Sequence, residues 1–219
     1  MSRYLVLTRE DIQRLTYELA DLVREKYEFD VIVGVARGGR VPARLLSDLL
    51  DRDYVGTIRV RFYSGVGETM EKPIIEQDLS IEVRDKRVLL VDDVADTGKS
   101  LKVALQRVLE FSPSEVKTAV YHVKPRSEIV PDFYVEATDK RIVYPREYAE
   151  FVRHLVKKYG DEGKALAISL GIPKRILDFL RFLPDSTASA GVGGSIRGHT
   201  GRSRTRGTDW QRGRSARGS

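Results

Sequence analysis

Apolar residues at Ile12, Leu15, Leu19, Leu22 and Val23 recur at steps of three and four between charged positions, so residues 9–27 are predicted to form an amphipathic helix capped by Thr8. The pattern then becomes a continuous run, Val31-Ile-Val-Gly-Val35, of the kind buried on both faces of a parallel sheet. It breaks at Arg37-Gly38-Gly39, and Pro42 suits the first turn of a helix reaching about Leu50. Val55–Phe62 and Ile74–Val83 read as two strands joined by the loose segment Ser64-Gly65-Val66-Gly67-Glu68. Val88-Leu-Leu-Val91 is a second buried strand, followed by an acidic turn, Asp92–Gly98, and a helix over Lys99–Glu110. Short strands are expected at Lys117–Val123, Asp132–Glu136 and Arg141–Val143. Residues 146–183 read as helix in three pieces, broken at Gly160–Gly163 and at Gly171-Ile172-Pro173. Strands alternating with helices predict an α/β fold with an open parallel sheet flanked by helices.

Composition alters this picture mainly at the C-terminus. The 219 residues carry a formal charge of +6, which by itself would suggest an anionic partner. Beyond residue 185, however, stand Arg197, Arg202, Arg204, Arg206, Arg212, Arg214 and Arg217 against one acid, Asp209, and the two signs balance in the body that precedes them. This Gly-, Ser- and Arg-rich stretch, residues 185–219, has too few apolar residues to offset its ordering entropy and is expected to be a disordered tail. Two roles are open for it: a cloning or read-through remnant, the favoured one, or an RNA-binding arm.

The chain has no Cys, which excludes a disulfide framework, a thiolate metal site and a cysteine nucleophile. It opens in mixed polar sequence and contains no run approaching about 18 apolar residues, so a soluble, cytoplasmic protein without a membrane partner is expected. The lack of Asn and the presence of only four Gln hint at a thermophilic source.

The stretch with chemical content is Val88-Leu-Leu-Val-Asp-Asp-Val-Ala-Asp-Thr-Gly-Lys-Ser-Leu101. An apolar strand delivers Asp92 and Asp93 at its C-terminal end, the edge at which open α/β sheets bind ligands. The turn Asp96-Thr97-Gly98-Lys99-Ser100 offers consecutive backbone N–H groups, two hydroxyls and a helix N-terminus, which together make a phosphate cradle. Asp92 and Asp93 would repel a phosphate but suit hydroxyl groups or a divalent cation. Phosphate, vicinal hydroxyls and Mg²⁺ in one site describe a ribose 5-phosphate. A P-loop is excluded because its first glycine position is Asp93. The plainer alternative, acids that merely end a strand and cap a helix, would suit a single Asp better than this whole pattern.

This stretch resembles the phosphoribosylpyrophosphate (PRPP) signature of type I phosphoribosyltransferases, and the likeness spans residues 1–150. It is nearest to the 6-oxopurine branch, particularly its short archaeal members. The resemblance implies a central parallel sheet with a small hood, about residues 54–82, and the synthesis of a purine nucleoside 5′-monophosphate and pyrophosphate from PRPP and a 6-oxopurine, with Mg²⁺. It also implies roles by position. Asp92 and Asp93 bind the ribose hydroxyls or the metal. Asp96, Thr97, Gly98, Lys99 and Ser100 hold the 5-phosphate, with Asp96 also exchanging the purine proton. Arg37, Gly38 and Gly39 hold the diphosphate, and Arg61, Tyr63, Ser64 and Lys72 are candidates to reach it on closure. Lys124 donates to the purine O6. Arg141, Ile142 and Val143 line the base, with Arg141 in a place where relatives carry an aromatic residue, and Glu147 lies near the metal or the 2-position of the base. A homodimer or homotetramer is implied as well.

A rival of a different class comes from residues 151–184, a helical extension. Ala167, Leu170, Gly171, Ile172 and Leu177 follow the spacing of a helix-turn-helix, with Lys174-Arg175 opening the second helix. This allows a PRPP-sensing regulator that binds nucleic acid. Asp161, Glu162 and Asp178 offset the local cations, and Pro173 occupies the first turn of the reading helix, so nucleic-acid binding is not expected to be the main function.

Overall fold

A computed structural model describes residues 3–63 and 72–181. The expected tail, its two candidate roles, and Ser64 lie outside the described residues.

Helix α1 (Arg9–Lys26) begins at Thr8, whose hydroxyl accepts from the Asp11 N–H while the Asp11 carboxylate accepts from the Thr8 N–H. Such a reciprocal cap is worth about 1 kcal/mol. The stripe Ile12, Leu15, Leu19 and Val23 is buried, as the periodicity predicts.

The strands are β1 (Tyr4–Val6), β2 (Val31–Ala36), β3 (Val55–Tyr63), β4 (Lys72–Gln77), β5 (Arg87–Ala95), β6 (Glu115–Val123), β7 (Phe133–Ala137) and β8 (Arg141–Val143). Six of them form one sheet in the order β4-β3-β2-β5-β6-β7, parallel throughout except for the antiparallel β3–β4 pair. The helices between them are α2 (Arg40–Leu49) and α3 (Lys99–Leu109).

Period-two alternation sends the central strands into two cores. Ile32, Leu89, Val91 and Tyr121 pack with α1 and α2 on one face. Val31, Val33, Val35, Val88, Leu90 and Val120 pack with α3 on the other. A sheet covered on both faces explains why β2 reads as an unbroken apolar run.

Two expectations need correction, and one strand is additional to those predicted. β5 continues through Ala95, so Asp92 and Asp93 belong to the strand and not to a turn, because Asp92 and Val94 remain in register with Val120 and His122 of β6. β4 stops at Gln77, and no strand reaches Val83. After it the Leu79 N–H bonds the Asp78 carboxylate, while Leu79, Ile81 and Val83 cover the α3-side core as an irregular segment. β1, too short to stand out from the sequence, pairs in parallel with β8 in a separate two-stranded sheet.

A 3-10 turn, Pro145–Glu147, leads into α4 (Tyr148–Ser169), and α5 (Lys174–Leu180) follows. The expected break in the long helix falls at Gly160, whose φ of 58° and ψ of −131° are not helical. Ala167, Ile172 and Leu177 pack with Phe151 and Leu155 in a third, small core.

Candidate active site

The C-terminal ends of β2 and β5 open into one cavity of about 1610 Å³. Its walls include Arg37 and Gly38 after β2, Asp92 to Leu101 along β5 and the start of α3, Lys124 after β6, and Arg141, Ile142, Arg146 and Glu147 near the start of α4. Most of the residues selected from the sequence therefore converge on one place.

At the floor lie two adjacent buried carboxylates, Asp92 and Asp93, which are 7% and 6% exposed. Each accepts a bond from the next backbone N–H: Asp93 N to Asp92 Oδ1 at 2.9 Å, and Val94 N to Asp93 Oδ1 at 2.8 Å. Burial pushes the Asp92 carboxyl up to about 8, against the pull of the Arg146 guanidinium and the Gly39 N–H. Gly38 lies so close that a Cβ there would stand 2.5 Å from Asp93 Oδ1, so the loop after β2 can meet the acids only as glycine. The Ala36–Arg37 peptide bond is cis. Gly39 does not line the cavity; its N–H donates to the Val35 carbonyl at 2.8 Å and it starts α2. Arg37 extends into solvent, 3.8 Å from Glu150.

The turn from Asp96 to Ser100 enters α3 through Gly98, whose φ of 77° is left-handed, and no side chain caps the helix there. Thr97, Lys99 and Ser100 line the cavity at that N-terminus. The Lys99 ammonium sits 4.0 Å from Glu128. Asp96 is gripped by Arg126, Nε at 3.1 Å and Nη2 at 2.5 Å from one carboxylate oxygen.

Lys124 is buried, and its ammonium donates to the Lys140 carbonyl, which turns it across the cavity wall. Burial lowers its pKa, while Asp96 acts in the opposite direction. The segment expected to line the base is only partly available. Val143 points into the small core and its carbonyl accepts from Leu7 N at 3.0 Å, because pairing with β1 claims that edge. Arg141 lays its guanidinium over the Phe151 ring, 5.6 Å from the centroid. Arg61 bonds Glu76 at 2.9 Å and does not line the cavity.

Sequence reasoning missed Arg146, Tyr144 and His122. The Arg146 guanidinium is ion-paired with Asp93, lies 3.6 Å from Glu147 and covers the Tyr144 ring at 4.3 Å. The Tyr144 hydroxyl donates to the Asp93 carbonyl at 2.9 Å, and His122 Nδ1 lies 3.0 Å from that hydroxyl. No spacing rule links these three residues; only the packing of β6 against the segment after β8 does.

Glu147, expected at the metal, does not join the Asp pair: among the described residues no group of three or more His, Cys, Asp or Glu is arranged to hold an ion. Two adjacent carboxylates still fit Mg²⁺, which commonly takes one or two from the protein and its other ligands from substrate phosphates and water.

A mainly parallel sheet with an antiparallel hairpin at one edge, two acids at the end of a central strand and a phosphate-type turn behind them define the type I phosphoribosyltransferase class. The comparisons agree. Residues 8–153 match the phosphoribosyl transferase domain, and the chain belongs to that family. It is 32% identical to the hypoxanthine-guanine phosphoribosyltransferase of Aquifex aeolicus over 164 residues, 71% of this chain and 92% of that one. It is 29% identical to the xanthine-guanine phosphoribosyltransferase of Nitratidesulfovibrio vulgaris over 141 residues, 64% of this chain and 82% of that one. The purine phosphoribosyltransferase from Pyrococcus horikoshii superposes with a TM-score of 0.60 at 43% identity, covering 66% of this chain and 94% of the other.

Proposed function

We propose that the protein makes a purine nucleoside 5′-monophosphate by letting N9 of a 6-oxopurine displace pyrophosphate from C1 of PRPP. The observation that carries this reading is the meeting of Gly38, Asp92, Asp93 and the turn 96–100 around one cavity, beside a buried lysine. The α3 N-terminus holds the 5-phosphate through its backbone N–H groups and the Thr97 and Ser100 hydroxyls. Asp92 and Asp93 accept from the ribose hydroxyls, and Arg37 meets the diphosphate. Lys124 donates to the purine O6 and so selects against adenine, whose 6-amino group is itself a donor. Asp96 takes or returns the purine proton. Asp92 and Asp93, together with substrate oxygens, would hold magnesium, which would supply neutralising charge at the leaving diphosphate.

The test is steady-state turnover with PRPP against a panel of bases. Guanine, hypoxanthine or xanthine should react, and the Asp92→Asn, Asp93→Asn double variant should be inactive. Retained turnover in the double variant, or turnover of uracil or adenine alone, overturns the assignment. A cytoplasmic homodimer or homotetramer belongs to the same reading, and light scattering on the full chain checks the assembly. Among the described residues no helix is long and apolar enough to cross a membrane.

The regulator reading rests on the helix, turn and helix of α4 and α5. Salt-sensitive DNA binding by a chain ending at Pro184 would favour it.

A further inference from the structure

Two neighbouring carboxylates taken out of water carry a large penalty unless a cation accompanies them. In this protein the cation is already present. Arg146 reaches Asp93 Oδ2, one of the carboxylate oxygens that a ribose hydroxyl or a metal ion would use. Its side chain is only 25% exposed, and the Tyr144 ring beneath it supplies a flat platform at 4.3 Å. Tyr144 itself is fixed to the Asp93 backbone through its hydroxyl, so platform, guanidinium and acid form one unit.

We infer that Arg146 is the resident counter-cation of the Asp92–Asp93 pair, filling the cation position before substrate arrives and exchanging with magnesium and the ribose hydroxyls when PRPP enters. The inference rests on the transferase reading for the identity of the incoming ligand. The exchange leaves no charge bare, because Glu147 already stands 3.6 Å from the same guanidinium and can take it over. The required movement is short, since Arg146 sits in a single 3-10 turn, Pro145–Glu147. Magnesium alone must compete with Arg146 for Asp93 without the help of the substrate's oxygens. Magnesium and PRPP together bring those oxygens, and the balance turns.

The experiment compares the full-length protein with Arg146→Met and Arg146→Lys, using magnesium chloride alone as the probe. Calorimetric titration should show Mg²⁺ binding to Arg146→Met that is tighter than to the parent protein by at least about tenfold, the effect of removing one competing charge at contact distance. Arg146→Lys should stay near the parent. In thermal melts, Arg146→Met should lose stability in EDTA and recover most of the loss on adding Mg²⁺, while the parent melts at the same temperature in both. A merely structural arginine predicts a loss that Mg²⁺ does not repair. That result, or Mg²⁺ affinity equal in the parent and Arg146→Met, overturns the inference. If Arg146→Met does not fold, the parent protein still decides: the Arg146 Nε–H resonance should move when Mg²⁺ and PRPP are added together and stay in place with Mg²⁺ alone, and an unmoved resonance in both overturns it. None of these readings requires turnover. A protein that shows the magnesium effects but transfers no purine would keep this inference and sink the proposed reaction.

Discussion

Arg126 and Asp96 are thirty positions apart, yet two guanidinium nitrogens, at 3.1 and 2.5 Å, close on a single oxygen of the Asp96 carboxylate. Asp96 lines the cavity. Both side chains are well exposed, at 66% and 49%, so the pair contributes little to stability. Its value is orientation of the proposed proton acceptor.

Asp96→Asn should therefore lower kcat by about 10²- to 10⁴-fold with a small change in the KM for PRPP. Arg126→Ala should lower kcat by about tenfold while the melting temperature stays within a degree or two, since a surface pair is worth under about 1 kcal/mol. Steady-state kinetics alongside thermal melts test this. A kcat unchanged in Asp96→Asn would remove Asp96 from the proton step.

Gly98→Ala should be costly. The left-handed backbone adds about 1–2 kcal/mol for any residue with a Cβ. The new carbon would stand 2.6 Å from Ser127 Oγ and 2.7 Å from Ile129 Cγ2. Urea unfolding should show a loss of about 2 kcal/mol or more, and the KM for PRPP should rise as the phosphate turn shifts. A variant with parental stability and KM would mean that the turn is not held as tightly as this geometry implies.

Tyr144→Phe separates the ring from the hydroxyl. The aromatic face under Arg146 remains, while the Asp93 carbonyl and His122 Nδ1 lose their partner. Leaving such buried groups unpaired costs about 1–3 kcal/mol. Chemical denaturation should show that loss, together with weaker PRPP binding because the Asp93 backbone is freed. Unchanged stability would show that water or a rotated His122 takes the place of the hydroxyl.

His122 should make the fold sensitive to acid. It is fully buried, and burial holds its pKa near 4 despite the Glu136 carboxylate 3.4 Å from Nε2; Lys124 and Arg14 push the same way as burial. The unfolded imidazole binds its proton near 6.5, so the unfolded state takes up protons first as pH falls. The stabilisation is thus complete above about pH 6.5 and is lost between about 6.5 and 4, amounting to about 3 kcal/mol. Stability measured against pH in the parent and in His122→Gln isolates this group from Asp92, whose raised pKa acts in the opposite direction across the same window and on up to about pH 8. Equal slopes in the two proteins between pH 4 and 6.5 would contradict the prediction.

Local pattern determines a great deal of this protein. The stripe and cap of α1, the buried runs of β2 and β5, the kink at Gly160 and the acidic strand end with its phosphate-type turn all depend on neighbours within a few residues, whose spacing and chirality the chain itself carries. From these the α/β class follows, along with most of the cavity wall. The tertiary structure alone decided the rest. Whether the acids end a strand or open a turn was settled by pairing with β6, and the fate of Val143 by pairing with β1. Arg126 on Asp96, Arg146 on Asp93 and His122 behind Tyr144 are contacts made by residues that the fold brings together from afar. Charge and hydrogen-bond partnership act through space over a few ångströms, and a sequence records separation only along the chain.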